Sequence, residues 1–506
     1  MSNIVGIDLG TTMSAIAALN SVGKPEIVPN KDGDRITPSV IFFESINKSL
    51  IGEEAKNTAA TDSKSVAKEF KREMHNDDYK FEVHGNSYTA SDLSSFILKK
   101  LTQDASQQVG SIKDVVISVP AYFKENQRNA TMQAGQLAGL NVIAIINEPT
   151  AAALYYASTT DIKGKGLVYD LGSGTFDVTV TQTDGKDIQI IASSGDHHLG
   201  GVDFDQAMLE LIEEKYKAAT NGKLYADEDG RHEFLLLAED IKKSLSSRNS
   251  RKEKLAGEDG KVMIEITQVE FEEKISTYIS RTELLVEQVL DEADCEESDI
   301  DYILLVGGSS RIPAIQKSIK KLMGKEPIVA VNVDEAVALG AAIKAGLVLV
   351  KDNPSTVSST IANEMRTIKV GDVANHSYGA ITLSYNENLG KYIDENVLII
   401  KKNTPLPATM SDTFYTTHEG QEVVSVTITI GEDSDPDFVD KVDIIEISLP
   451  SNRPEGQAIE VKYSYDENQI MHCEVKDISS GKIESKKIDF SIDTSKKNTL
   501  DAFLVD

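Results

Sequence analysis

The sequence predicts an α/β domain with a duplicated core, followed by an all-β sandwich domain. Three observations carry that expectation. A unit of apolar strand, aspartate, glycine-rich corner and returning strand occurs twice, at Ile4 to Leu19 and at Val168 to Val180. Strands and amphipathic helices alternate as far as Val350, the pattern of a mixed or parallel sheet flanked by helices. Beyond Asp372 apolar residues recur at every second position, the period of a strand with one buried face.

The repeated unit carries the chemistry. In the second copy, Val168-Tyr169-Asp170-Leu171 runs into Gly172-Ser173-Gly174-Thr175, and Phe176, Asp177, Val178 and Val180 lie on the return. In the first, Ile4-Val5-Gly6-Ile7-Asp8-Leu9 runs into Gly10-Thr11-Thr12 and returns through Ala15 to Leu19. Glycine at such a corner lets successive backbone N–H groups approach an anion closely. An aspartate cannot face a phosphate unless a cation lies between them. Magnesium, held by one or two carboxylates and phosphate oxygens, fits that arrangement. The copies are about 160 residues apart, so each half is expected to offer one phosphate loop to a shared cleft. Neither copy contains the GxxxxGK[ST] pattern of a P-loop.

Composition narrows the partners. A chain of 506 residues has room for two or more domains with substantial cores. Its net charge of -29 opposes nonspecific binding to nucleic acid or to an anionic membrane, so neither is an expected partner. Cys295 and Cys473 form no CxxC or zinc-ligand spacing, and a reducing cytoplasm is the simplest setting. A strand begins by Ile4, which leaves no room for a signal peptide, and the most apolar helix, Ala336 to Val350, is too short to span a bilayer.

In chain order, the first hairpin is followed by a turn at Asn30 to Asp34 and a strand from Ser39 to Phe43. A helical segment around Ser65 to Met74 carries Lys71, and a longer helix spans about Ala90 to Val109. Then come a strand at Val115 to Val119, a helix from Glu125 to Ala138, and a strand at Val142 to Ile146. Pro149 suits the first turn of the helix that opens at Glu148. Past the second hairpin, Gly200 and Gly201 precede a helix whose face is Phe204, Met208, Leu211 and Ile212. Further helices are expected at Glu233 to Leu245 and Glu270 to Ala293, then a strand at Tyr302 to Val306 and the turn Gly307 to Arg311. The last helix of this half begins near Asp334, with small residues at Gly340 to Ala342 for close packing. Pro354 to Ser359 is polar and loop-like. The period-two strands include Val424 to Ile430, Ile445 to Leu449, Ile459 to Tyr465 and Ile488 to Ile492.

Taken together, these residues resemble the 70 kDa heat-shock chaperones of the DnaK type over nearly the whole chain. The motifs that carry the resemblance are Gly6 to Thr12, Val119-Pro120-Ala121-Tyr122-Phe123, Asn147 to Ala153, Asp170 to Asp177 and Gly307 to Pro313. The compact stretch Ser65 to Ser111 is similar to the shorter bacterial paralogues. The resemblance implies an actin-like, ribonuclease H-like ATPase domain of two lobes at 1–365 and an interdomain linker at 366–373. It further implies a β-sandwich peptide-binding domain at 374–492 and a short tail at 493–506 without the helical lid.

It also implies the site. Asp8 and Asp170 would hold hydrated magnesium, with ATP or ADP as the nucleotide and potassium as a further candidate cation. Gly10, Thr11 and Thr12 and the amides of Gly172, Ser173 and Gly174 would cradle phosphates, with Gly200 and Gly201 beside them. Lys71 would contact the γ-phosphate and position the attacking water, with Glu148, Thr175 and Asp177 around it. Glu239, Lys242, Lys243 and Ser246 on one side match the adenosine pocket, as do Gly307, Gly308, Ser309, Arg311 and Asp334 on the other. In the β domain, Val424 matches the floor of the family's peptide pocket, Phe414 a wall and Thr417 an arch; the opposite arch falls within Leu389 to Ile393. Implied partners are unfolded or extended apolar peptides, a J-domain co-chaperone and a nucleotide-exchange factor.

Several positions depart from the family pattern. Met13 replaces an asparagine and Ser173 a glycine. Lys243 stands where an arginine stacks on adenine, and an ammonium lacks the planar face for that. Ala144 occupies the place of an arginine that contacts J-domain partners. The linker Ile368-Lys369-Val370-Gly371-Asp372 is more polar than the usual leucine-like run, so weak docking and weak interdomain coupling are expected. Two classes of function stay open: an ATP-driven peptide-binding chaperone, and a nucleotide-bound scaffold or regulatory subunit that hardly hydrolyses ATP. A sugar or acetate kinase is disfavoured, because it needs no carboxyl-terminal sandwich.

Overall fold

The computed structural model describes residues 3–58, 62–329, 332–386, 390–466, 470–487 and 504–505. The chain divides into two compact units: Met1–Gln189, Ser193–Val370 and Ile492–Asp506 form one, and Ile190–Ala192 and Gly371–Ser491 the other.

The first unit is built on two sheets with the same logic. In one, the order runs Asn141–Asn147, Asp114–Val119, Val5–Asp8, Met13–Leu19, Pro25–Ile27. The other runs Ile328–Val329, Tyr302–Val306, Lys163–Leu171, Phe176–Asp184, Asp187–Asp196, Lys369–Gly371. In each, an aspartate-bearing strand pairs antiparallel with its hairpin partner and parallel with the strand on its other side. Parallel pairing needs a crossover, and helices supply it, which is why strands and helices alternate in the sequence. The register sets Asp8 opposite Ala15 and Asp170 opposite Asp177, at the carboxyl ends of their strands.

Two helices, Glu148–Thr159 and Ala336–Asp352, share one core cluster with residues of both sheets, including Ala17, Val116, Val168 and Leu304. Gly340 makes their approach possible: a Cβ there would lie 1.9 Å from the Ala151 carbonyl oxygen. The small residues expected to allow close packing are used for it.

Two sequence expectations are corrected. Ser65 to Met74 is not an α-helix; it comprises 3-10 turns at Ser63–Ser65 and Phe70–Glu73 around a short strand, Val66–Ala67, that pairs with Phe42 and Ile41. Glu69, at a φ of 58°, leaves the right-handed region just before Lys71 and prevents one continuous helix. The segment Glu270 to Ala293 is two helices, Gln268–Lys274 and Ser276–Glu292, which meet at Ile275. Beyond the loop-like stretch, a helix that went unforeseen, Ser359–Met365, is opened by Ser358, whose side chain accepts the Ile361 N–H. The hairpin Ser250–Gly257 and Gly260–Thr267 went unforeseen.

The segment expected to be the linker contributes a strand. Lys369–Gly371 is the edge strand of the second sheet, and the Lys369 N–H donates to the Lys186 carbonyl at 2.9 Å. Ile368 is buried and Val370 packs on the same core, whereas the Lys369 side chain is 75% exposed. Backbone pairing does not depend on side-chain polarity, and Lys369 occupies the outward position of a period-two strand.

The second unit contains two four-stranded sheets, ordered Lys391–Ile400, Tyr378–Asn386, Val423–Ile430, Asp440–Ser448 and Ala408–Tyr415, Ala458–Tyr465, Met471–Asp477, Ile483–Lys487. Their inner faces share one cluster that includes Ile428, Ile447, Val461 and Tyr463. The Tyr463 hydroxyl donates to the Gly379 carbonyl at 2.7 Å and so joins the two sheets. The strand expected at Ile488 to Ile492 lies outside the described residues. Leu504–Val505 run parallel to Lys48–Ser49.

Candidate functional site: a two-loop cleft

Both glycine corners open into one cavity of about 1050 Å³. They touch: a Cβ on Gly174 would sit 2.3 Å from Thr11 Oγ1, so only glycine lets the loops close this far. Each corner is fixed from behind. The Gly10 N–H donates to Ser14 Oγ and the Gly172 N–H to the Thr175 carbonyl, at 3.1 and 3.0 Å. Thr12, Ser173 and Thr175 line the cavity with them.

Four carboxylates converge on one lysine. Asp8, Asp170 and Glu148 line the cavity with Lys71, and the Lys71 Nζ lies 2.6 Å from Glu148 Oε1. Lys71 is 4% exposed and stands 5.7 Å from the centre of the Phe123 ring. Asp8 accepts the Ser118 hydroxyl at 2.7 Å, from the neighbouring parallel strand. Asp177 lies behind the cavity wall and accepts the Tyr122 N–H at 3.3 Å. Burial, with Glu148 adding repulsion, pushes the carboxyl of Asp8 up to about 7 and that of Asp177 up to about 8. The same causes, burial first, raise Asp170 well above the usual range. Buried aspartates that resist ionisation in the protein alone, beside one lysine, are a donor set for a hard divalent cation, and magnesium fits.

The far end of the cavity is lined by Glu239, Lys242, Lys243 and Ser246, at the end of the helix Glu228–Leu245. Gly307, Gly308, Ser309 and Arg311 face them from a tight turn, and Arg311 pairs with Asp334 at 2.9 Å. Glu239 binds Lys56 at 2.8 Å and Lys243 at 2.6 Å. Burial works against the Glu239 carboxylate, but the two ammonium groups outweigh it and hold its pKa at about 2. Lys242 turns away to Asp205 and to the Gly201 carbonyl, at 2.7 and 3.0 Å.

Gly200 and Gly201 do not line the cavity. The Gly200 N–H donates to Asp203 at the start of the following helix, and the Gly201 N–H braces the second corner through the Gly172 carbonyl at 3.1 Å. Sequence reasoning missed the other braces. Arg72 donates to the Gly174 carbonyl at 2.9 Å and pairs with Asp203 at 2.5 Å; Ser309 Oγ donates to the Gly172 carbonyl at 2.9 Å. Arg72 adjoins Lys71 in the chain, but nothing local names its partners.

In the second unit, Phe414 and Val424 come from different sheets and pack on the fringe of one core, both half-buried. Thr417 is in an exposed turn, where its N–H donates to Gln421 at 3.0 Å. Of the opposite arch, Leu389 lies outside the described residues.

The model of the Hsp70 protein family matches residues 4–82 and 73–504. The chain belongs to the Hsp70 family. It is 38% identical over 494 residues to the chaperone protein DnaK of Thermotoga neapolitana, covering 95% of this chain and 79% of that protein. The DnaK of Thermosipho africanus gives 38% over 495 residues with the same coverage, and that of Thermotoga maritima 38% over 494. The protein is accordingly an Hsp70-like chaperone with an ATPase. Among the described residues no helix is long and apolar enough to cross a membrane.

Proposed function

We propose that the first unit is the two-lobed actin-like ATPase of this Hsp70, that residues 366–373 are the linker, and that the sandwich grips extended apolar segments of unfolded polypeptides in the cytoplasm. The supporting observation is the position of Lys71, buried and ion-paired at 2.6 Å to Glu148 beside two aspartate hairpins that close on one another.

The amides of the two corners, with Thr11 and Thr12, hold the phosphates. Asp8 and Asp170 would hold magnesium, which supplies charge neutralisation on the phosphates. Glu148 orients the Lys71 ammonium toward the γ-phosphoryl and the attacking water. Water bonds to the γ-phosphorus as the bond to the bridging oxygen breaks, giving ADP and phosphate. Such a transfer needs positioning and electrostatic stabilisation more than covalent chemistry. Glu239, Ser246, Arg311 and Asp334 enclose the adenosine. Phe414 and Val424 contact peptide, with Thr417 in the arch over it. A J-domain protein and an exchange factor complete the cycle.

Lys71→Ala should retain ATP but lose hydrolysis by about 10²–10³-fold, because the loop amides bind the ground state and the lysine acts on the transferring group. Single-turnover hydrolysis measured beside ATP affinity separates the two effects; an unchanged rate would remove Lys71 from its role.

A further inference from the structure

The turn 416–422 joins the strand that carries Phe414 to the strand that carries Val424, and a second turn, 449–457, holds it. Thr416 donates its N–H to the Gln457 carbonyl at 3.0 Å and accepts the Gly456 N–H on its own carbonyl at 2.9 Å. The Thr416 hydroxyl accepts the Gln457 N–H at 2.9 Å. Further along, the Gly420 N–H donates to the Arg453 carbonyl at 2.8 Å, and the Leu449 N–H to the Glu422 carbonyl at 2.7 Å. We propose that Arg453 and Asp477, acting through the second turn, are positioning residues that keep the arch turn in place and so set how fast a bound apolar peptide leaves. This rests on the reading of the sandwich as a peptide-binding domain.

One guanidinium gives the second turn its shape. Arg453 reaches Asp477 with two nitrogens, Nη1 at 2.5 Å from Oδ2 and Nη2 at 3.1 Å from Oδ1. Its Nε and Nη2 also donate to Gln457 Oε1, at 3.2 and 2.6 Å. Both ends of 453–457 are thereby tied to the end of the strand Met471–Asp477. Asp477 is fully enclosed and also accepts the Ser480 hydroxyl and the Ser479 N–H. A planar fork on two acceptors fixes direction as well as distance, and that is what positioning requires.

The turn borders an exposed apolar surface. Tyr415 and Val423, the residues on either side of it, are 64% and 47% exposed, although each belongs to a strand of the sandwich. Phe414 and Val424, next to them, are half-buried. Apolar side chains grouped in this way on a surface mark a site for another chain. The turn itself reads Thr416-Thr417-His418-Glu419-Gly420-Gln421-Glu422, with no large apolar side chain to add to that surface. Its effect on a peptide is confinement, and confinement depends on the turn keeping its place.

The test uses the intact chain with magnesium and ADP. Release of a labelled apolar peptide is followed by fluorescence anisotropy, beside hydrogen exchange at the Gly420 amide. Removing one partner would leave a buried charge unpaired, so both are replaced together, Arg453→Met with Asp477→Leu. This double variant should lose protection at Gly420 and release peptide about tenfold faster, with the association rate unchanged. Arg453→Lys keeps the charge without the fork and should release peptide about threefold faster at the wild-type melting temperature. If the double variant melts early, Arg453→Lys decides alone. Wild-type release in the folded variants overturns the proposal, and so does wild-type protection of Gly420 in the double variant. A wild type that binds no apolar peptide would remove the peptide reading, and the claim about release with it; lost Gly420 protection in the double variant would still establish the brace.

Discussion

Lys56 and Glu239 meet although 183 residues separate them in the chain, and no local pattern in the sequence could have named that pair. Lys71 and Glu148 are similarly remote; Glu148 sits in one of the motifs that carry the family resemblance, whereas Lys71 sits in none and was named only by what the resemblance implies. The difference between the two pairs is the limit of what a sequence tells about a site. Residues inside a recurring motif are visible, and the side chains that brace them are set only by the fold. Gly200 and Gly201 show what the motif leaves out: their amides donate to Asp203 and to the Gly172 carbonyl. The Glu239 cluster gives a prediction at this scale. A carboxyl held at about 2, below its ordinary 4.5, contributes stability that is present above pH 4.5 and is lost as the pH falls through about 2. Lys56→Met removes one of the two ammonium groups that offset burial, so the Glu239 titration should move upward. Carbon-detected NMR of that carboxyl measures it, and an unmoved titration would show that Lys243 alone suffices.

At the scale of elements, the strands and long helices were legible because each is long enough to display its period, as at Ala90–Val109 and Asp114–Val119. The segment around Lys71 was not: its turns are three and four residues long, too short for a period to develop. Counting polar residues in 368–372 gives no direction, and the strand does. Since Lys369 points outward, Lys369→Leu should leave docking unchanged. Ile368→Asp, which removes a buried aliphatic side chain worth about 1.5–3 kcal/mol, should release the strand. Hydrogen exchange at the Lys369 amide reads both variants; protection that survives Ile368→Asp would place the docking energy in the backbone alone. The packing of Glu148–Thr159 against Ala336–Asp352 is equally specific. Gly340→Ala drives a methyl into the Ala151 carbonyl and should cost about 3 kcal/mol in denaturant unfolding of the first unit.

At the scale of the whole molecule, two units built on different periods follow one another in the chain, and the change of period near Asp372 announced both of them. What the sequence could not display is which inner-face positions of the sandwich stay half-buried. Val424 and Phe414 do, while neighbours such as Ile428 and Val461 are fully enclosed. Val424→Phe should therefore fill space at the fringe without disrupting the core. Peptide affinity should fall by about tenfold or more, equivalent to about 1.4 kcal/mol, with the melting temperature unchanged; fluorescence anisotropy of a labelled apolar peptide measures it. The most direct test is single-turnover ATP hydrolysis by the intact chain, with and without an extended apolar peptide. Hydrolysis should depend on magnesium, fall by about 10²–10³-fold in Lys71→Ala and be accelerated by peptide. ATP that stays bound and intact through many hours, with or without peptide, would contradict it and mark the chain as a nucleotide-bound scaffold.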